Sequence, residues 1–242
     1  MIFLISGLCL PKISYGDWFL DFEGGWVWCG YNDVRIPPDT GTEFSLCGDL
    51  SLNSKPAFRI RLGYRFHPKH SFSLLYAPLS TSARGNVGRD IFFNGENFPA
   101  GTPLEGLYRF NSYRLTYRFD FINGRSWRVG LGFTAKIRDA EIKVEDGGNS
   151  ASRTDLGFVP LLNFRVEWLF SENFSLLLDG DALASPGGQG RAEDVLLALR
   201  YHLGDSAALR VGYRILEGGA DVETVYNFAL LHYFVAGVRI YF

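Results

Sequence analysis

The stretch Phe228-Ala229-Leu230-Leu231-His232-Tyr233-Phe234-Val235-Ala236-Gly237-Val238-Arg239-Ile240-Tyr241-Phe242 decides the fold. Phe228, Leu230, Phe234, Ala236, Val238, Ile240 and Phe242 share one face, while Asn227, Ala229, Tyr233, Gly237, Arg239 and Tyr241 share the other. A period of two marks a strand whose faces meet different surroundings. His232 is the exception on the apolar face.

Nine more segments of this kind precede it. Tyr213 alternates with Arg210 and Arg214, Leu197 and Tyr201 with Asp194, Arg200 and His202, and Leu176 and Leu178 with Asp179 and Asp181. Phe164 and Trp168 oppose Arg165 and Glu167; Trp127 and Phe133 oppose Arg128 and Lys136; Tyr113 and Phe119 oppose Arg114, Arg118 and Asp120. Phe72 and Tyr76 oppose Ser73 and Ala77, Phe58 and Tyr64 oppose Arg59, Arg61 and Arg65, and Leu20 and Trp26 oppose Asp21 and Glu23. Tight turns at 67–70, 123–126, 171–173 and 204–206 alternate with longer connections at about 35–56, 80–106, 139–153, 185–191 and 217–224. Short turns at one end and long loops at the other are the habit of outer-membrane barrels.

Alternation does not say which face is inside. A soluble lipocalin-like barrel would turn the apolar face inward, but the rings on that face would overfill a barrel of this size. Phe66, Phe72, Phe121, Trp127, Trp168, Phe174, Tyr201 and Phe242 all lie beside the tight turns, which reads as an aromatic girdle at one membrane interface. No apolar run is long enough for a transmembrane helix, and a chain that spans lipid without one must close into a barrel. The expected fold is therefore all-β, a closed antiparallel up-and-down transmembrane β-barrel of about ten strands. Eight or twelve are possible, because pairing of 27–34 with 42–50, or of 90–98 with 103–110, would only extend hairpins beyond the membrane.

The balance of 24 basic against 26 acidic residues gives no basic footprint for nucleic acid. Residues 1–16 read as an export signal, with small residues at Ser14 and Gly16 before Asp17, and residues 17–242 as the barrel domain. The signal lacks its usual positive start, so the true start is expected further upstream; a buried first strand is the alternative. Cys29 and Cys47 are candidates for a disulfide in an oxidising compartment.

The ending Val238-Arg239-Ile240-Tyr241-Phe242 resembles the C-terminal signature of bacterial outer-membrane proteins, and the whole chain resembles the broad OmpA/OmpX/OmpW type of small barrel. That resemblance implies recognition of Phe242 by the barrel assembly machinery, a monomer among outer-membrane lipid and lipopolysaccharide, and location in the bacterial outer membrane. It carries over no subfamily function.

The polar face should line the lumen with Arg59, Arg61, Arg65, Arg114, Arg118, Arg128, Arg165, Glu167, Asp179, Asp181, Arg200, Arg210 and Arg214. Such a set reads either as an ion-pair network that plugs the barrel or as a narrow path or site favouring anions. Asp120 with Arg128, and Arg239 with Asp21 or Glu23, are the expected pairs. Asp179, Asp181, Glu193 and Asp194 form an acidic cluster expected near the outer rim, as partners of Arg191 and lumen arginines or as a Ca²⁺ site. The four histidines form no hydrolase pattern, and His67 with His70 is too small a set for a metal site. No cofactor and no enzymatic activity are expected. The reading is a surface or structural barrel, or one that passes or binds small anionic solutes. Its rivals are an outer-membrane enzyme acting on lipid or peptide, and a soluble ligand-binding barrel. The apolar segment Ile91-Phe92-Phe93, with Phe98, should fold inward, extend a hairpin or meet a partner.

Overall fold

The computed structural model describes residues 17–185 and 189–242. The segment read as an export signal lies outside the described residues, as does part of the fourth long connection.

Among the described residues fourteen strands follow one another: β1 (Asp17–Arg35), β2 (Phe44–Ser45), β3 (Lys55–His67), β4 (His70–Ala77), β5 (Ser80–Asn86), β6 (Ile91–Phe93), β7 (Glu96–Phe98), β8 (Pro103–Asn123), β9 (Trp127–Glu145), β10 (Ser150–Leu169), β11 (Phe174–Ala184), β12 (Gly190–Leu203), β13 (Ala207–Val222) and β14 (Val225–Tyr241). β4 and β5 both pair with β8 and occupy one position in the wall, on either side of Pro78. With β1, β3 and β8 to β14 they make a ten-stranded antiparallel barrel in up-and-down order, closed by β14 on β1 from Phe19↔Tyr241 to Arg35↔Tyr226. Closure leaves no unpaired edge at the seam, which lipid demands.

The faces divide as their chemistry requires. Phe133 and Phe234 stand outward at 67% and 66% exposure, within a continuous outer belt of Leu, Val, Phe, Trp and Tyr. Rings gather at the tight-turn end, where Phe66 lies 5.4 Å from Phe72, Trp127 5.9 Å from Trp168, and Phe174 4.9 Å from Tyr201.

Two of the long connections are strand rather than loop. β9 and β10 run on to Glu145↔Ser150, and β13 and β14 to Val222↔Val225. The inward residues Ile142, Val144 and Ala151 keep the period of two through the stretch read as a loop, and all three are buried. The turn at 146–149 is held by the Asp146 carboxylate, which accepts the N–H of Gly148 at 2.9 Å and of Asn149 at 2.7 Å. The pairing of 90–98 with 103–110 is not formed. Instead β6 pairs with β7, and the start of β8 pairs with β5. Of 27–34 with 42–50, only Asp33↔Ser45 and Val34↔Phe44 pair.

The first two long loops pack on the inner side of these extended strands. Ile36, Phe44, Leu46, Leu50, Ile91, Phe93 and Phe98 are at most 2% exposed and join Leu104, Tyr108, Ile142 and Val144 in one cluster. Phe44 meets Phe93 edge-on, with centroids 5.7 Å apart. The barrel thus carries a second, water-side core beyond its lipid belt. Cys29 in β1 and Cys47 are joined by a disulfide, with Cα atoms 6.2 Å apart, and tie this cap to the wall.

Candidate functional site: the lumen and the outer cup

Period two turns the charged face of each strand inward, and the barrel packs those charges together. Nine basic and six acidic side chains are buried among the described residues, all of them on this face. Arg59 bonds Asp194 at 2.8 Å and lies 3.7 Å from Glu23. Arg114 bridges Asp181 at 2.7 Å and Asp194 at 2.6 Å, while Arg214 bonds Glu23 at 2.9 Å and also grips Asp194. Lower down, Arg210 and Arg239 each meet Asp21 at 2.7 Å, and Arg118 meets Asp179 at 3.2 Å. Nearest the tight turns, Glu167 accepts from Arg200 at 2.6 Å and Arg165 at 2.8 Å, with Arg128 at 3.7 Å. Arg61 and Arg65 are half-buried on the same face of β3.

Small inward residues make room for this packing. A Cβ at Gly130 would fall on the Asp120 carboxylate, and one at Gly237 would lie 2.9 Å from the Arg210 guanidinium. Two spaces at this level have volumes of about 20 Å³ each, one beside Glu23, Arg59 and Arg114, the other between Asp21, Arg61, Asp179 and Arg239. Each has room for about one water.

Arg239 pairs with Asp21, its neighbour in the closing ladder. Asp120 and Arg128 do not pair. The ladder sets Asp120 opposite Gly130 and, past the bulge before Ile122, Arg128 opposite Asn123; Asp120 turns to Arg118 at 3.4 Å. The acidic cluster is not at the rim either. Asp179, Asp181 and Asp194 lie buried and paired with lumen arginines, as expected of them, while Glu193 is half-buried opposite Glu217, and Arg191 is paired with Glu217 at 2.7 Å.

Sequence reasoning also missed a polar knot at the tight-turn end. The Ser175 hydroxyl lies 2.9 Å from His202 Nε2 and 2.9 Å from Glu167 Oε1. A hydrolytic triad needs the histidine between serine and carboxylate, with the serine exposed. Here the serine is the middle member, is fully buried, and its carboxylate is already held by Arg200. His70 bonds the Tyr117 hydroxyl at 2.7 Å, and His232 bonds that of Tyr213 at 2.6 Å on the outer face. No group of three or more metal-ligating side chains occurs among the described residues.

Above the network the lumen widens into a cup. Its cavity holds about 410 Å³, floored by Lys136 and Phe110 and walled by Ile36, Tyr108, Leu216 and Leu231, with charged residues toward the rim. Burial pushes the Tyr108 phenol well above its ordinary pKa. At the rim the Tyr31 hydroxyl meets Glu217, and its pKa is raised first by burial and then by that bond. Among the described residues the cup wall is incomplete on one side, because the β10–β11 ladder stops at Leu162↔Ala182 while β10 continues to Ser150. Pro160, which has no N–H to offer a neighbour, lies on this free stretch.

A closed ten-stranded barrel with a lipid belt, a girdle and a charged interior is a small outer-membrane β-barrel, and belt and fold together place it in the bacterial outer membrane. No protein-family model and no curated protein matches the sequence. Among solved structures, the outer-membrane protease OmpT of Escherichia coli is similar at a TM-score of 0.57, with 12% identity over 93% of this chain and 97% of that one. Ail, the attachment invasion locus protein of Yersinia pestis, solved with the heparin analogue sucrose octasulfate, gives a TM-score of 0.42, with 10% identity over 95% and 100% of the two chains. Neisserial surface protein A gives 0.35, with 16% identity over 92% and 96%. At these identities the OmpT likeness is one of fold.

Proposed function

We propose that this protein is a closed outer-membrane barrel that presents a binding cup at the cell surface, without enzymatic activity and without a solute path through its lumen. The observation that carries the reading is the convergence of Arg59, Arg114 and Arg214 on Asp194. These residues reach from β3, β8 and β13 to β12 and so span the barrel interior. A solute passing this level would have to part buried, hydrogen-bonded charges, at a cost of several kcal/mol. The excess of basic over acidic groups still favours anions, but at the cup rather than through the wall. The buried Ser175 knot gives hydrolysis no support. Insertion through the Val238–Phe242 ending and a monomeric state belong to the same proposal.

Liposome swelling tests it. Vesicles carrying folded protein should swell in isotonic sodium gluconate or arabinose no faster than protein-free vesicles. Rapid swelling in either solute would overturn the closed-lumen reading.

A further inference from the structure

We propose that the cup binds a small amphipathic anion, an apolar body carrying one carboxylate, with Lys136 as the partner of the headgroup. The proposal rests on the closed-lumen reading in one respect, since the ion-pair network forms the floor beneath the site.

At about 410 Å³ the cavity is of the size that takes small organic ligands. Its inner wall is apolar, with Ile142, Leu216 and Leu231 buried or half-buried around it. The carboxylates on the lining are already matched: Asp155 by Arg138, Glu217 by Arg191, and Glu141 by Arg109 at 2.8 Å. Two cations are not. Lys136 is 3% exposed, and no carboxylate lies within 4.0 Å of it among the described residues. Its ammonium sits 4.6 Å from the centre of the Phe110 ring, itself part of the cavity floor. Arg153, on the free stretch of β10, likewise makes no ion pair among the described residues.

A buried ammonium whose close contact is a ring face, with Arg114, Arg138 and Arg59 repelling it and only the more distant Asp194 to offset them, is poorly compensated. A ligand anion would complete it, and the apolar wall would take the remainder of the molecule. Lys136 stands opposite Val159 and Arg153 opposite Ile142, six ladder positions or about 20 Å of strand apart, so the inner end of the chamber offers one buried cation, which suits one anionic group and does not suit a densely sulfated or phosphorylated sugar. Among the described residues, the gap between β10 and β11, bordered by Val159 and Leu183, gives the apolar body a way in from the side.

Binding of 2-naphthoate to protein in nanodiscs, measured by equilibrium dialysis against empty nanodiscs, tests this. Wild-type protein should bind it saturably and more tightly than neutral 2-naphthalenemethanol. Lys136→Met should weaken naphthoate by roughly tenfold or more, the worth of a charge-assisted hydrogen bond, and leave the alcohol unchanged. Lys136→Arg should retain binding. Ala229→Trp, which fills the cavity from β14, should weaken both probes and keeps the test open if Lys136→Met does not fold. No saturable naphthoate binding by wild type, or binding unchanged in the folded variants, would overturn the site. Vesicle swelling would sink the closed-lumen reading alone, whereas silent vesicles without naphthoate binding would sink only this inference.

Discussion

Arg114 on β8 and Asp194 on β12 meet 2.6 Å apart across the lumen, although β9, β10 and β11 stand between them in the wall. Both are at most 3% exposed. Contacts of this kind cross the barrel instead of following its ladder, and they fill the interior.

Asp194 holds three guanidiniums, so Asp194→Asn leaves buried cations short of a counter-charge. Breaking such a pair typically costs about 3–5 kcal/mol. The variant should unfold at a clearly lower urea concentration, followed by loss of the heat-modifiable gel band. An unchanged midpoint would show that the network contributes little to stability.

Phe133 lies on the outer face of β9, midway along the apolar run, at 67% exposure. An arginine near the bilayer midplane of a barrel costs about 2–4 kcal/mol. Phe133→Arg should therefore reduce folding into vesicles, while Glu96→Arg on the exposed β7 hairpin should not. Equal folding of the two variants would contradict the assignment of the belt.

The bridge between Cys29 and Cys47 closes a separation of 18 residues, for which the chain-entropy relation gives about 3 kcal/mol. Its loss should loosen the cap and leave the barrel intact. Cys47→Ser should be cut faster by chymotrypsin after Phe44 or Leu46, both buried in the native cap, with the barrel fragment still heat-modifiable.

Asp49 joins the two capping loops. Burial acts to raise its pKa, but the Arg89 guanidinium at 2.9 Å and the Ser45 N–H at 2.8 Å overcome this and hold it below the usual carboxylate range. A depressed folded pKa means the contribution is full above the unfolded value, about 3.9, and is lost as pH falls through the lower folded value. Pepsin cleavage within 36–54 should accelerate as pH drops below about 4. Asp49→Asn should be cleaved readily at every pH in that range, and a wild-type rate that follows pepsin's own pH profile would contradict the role of this contact.

The lipid face, the girdle and the charged lumen were legible in the sequence because lipid and lumen impose opposite demands at every second residue. The ladder placed Arg239 beside Asp21 for the same local reason. Partners across the lumen were not legible: Arg114 finds Asp194 only after ten strands close with a particular stagger, and the β8–β9 register, with Asp120 opposite Gly130 and Arg128 opposite Asn123, parts the pair expected across the turn. The cup was half-legible. Ile142, Val144 and Ala151 carry the strand period beyond the membrane, yet they lie among glycines and charges that also suit loops. Lys136 belonged visibly to the inward face, but its lack of a carboxylate depends on where Asp181 and Asp194 spend their own bonds.

Single-channel recording in planar bilayers tests the closed lumen most directly, comparing wild type with Arg114→Ala/Arg118→Ala. Wild type should insert and stay silent. The double variant frees Asp179 and Asp181 from these two partners and opens space beside them, so it should show a small cation-selective leak. A steady, anion-selective conductance in wild-type protein would contradict the account.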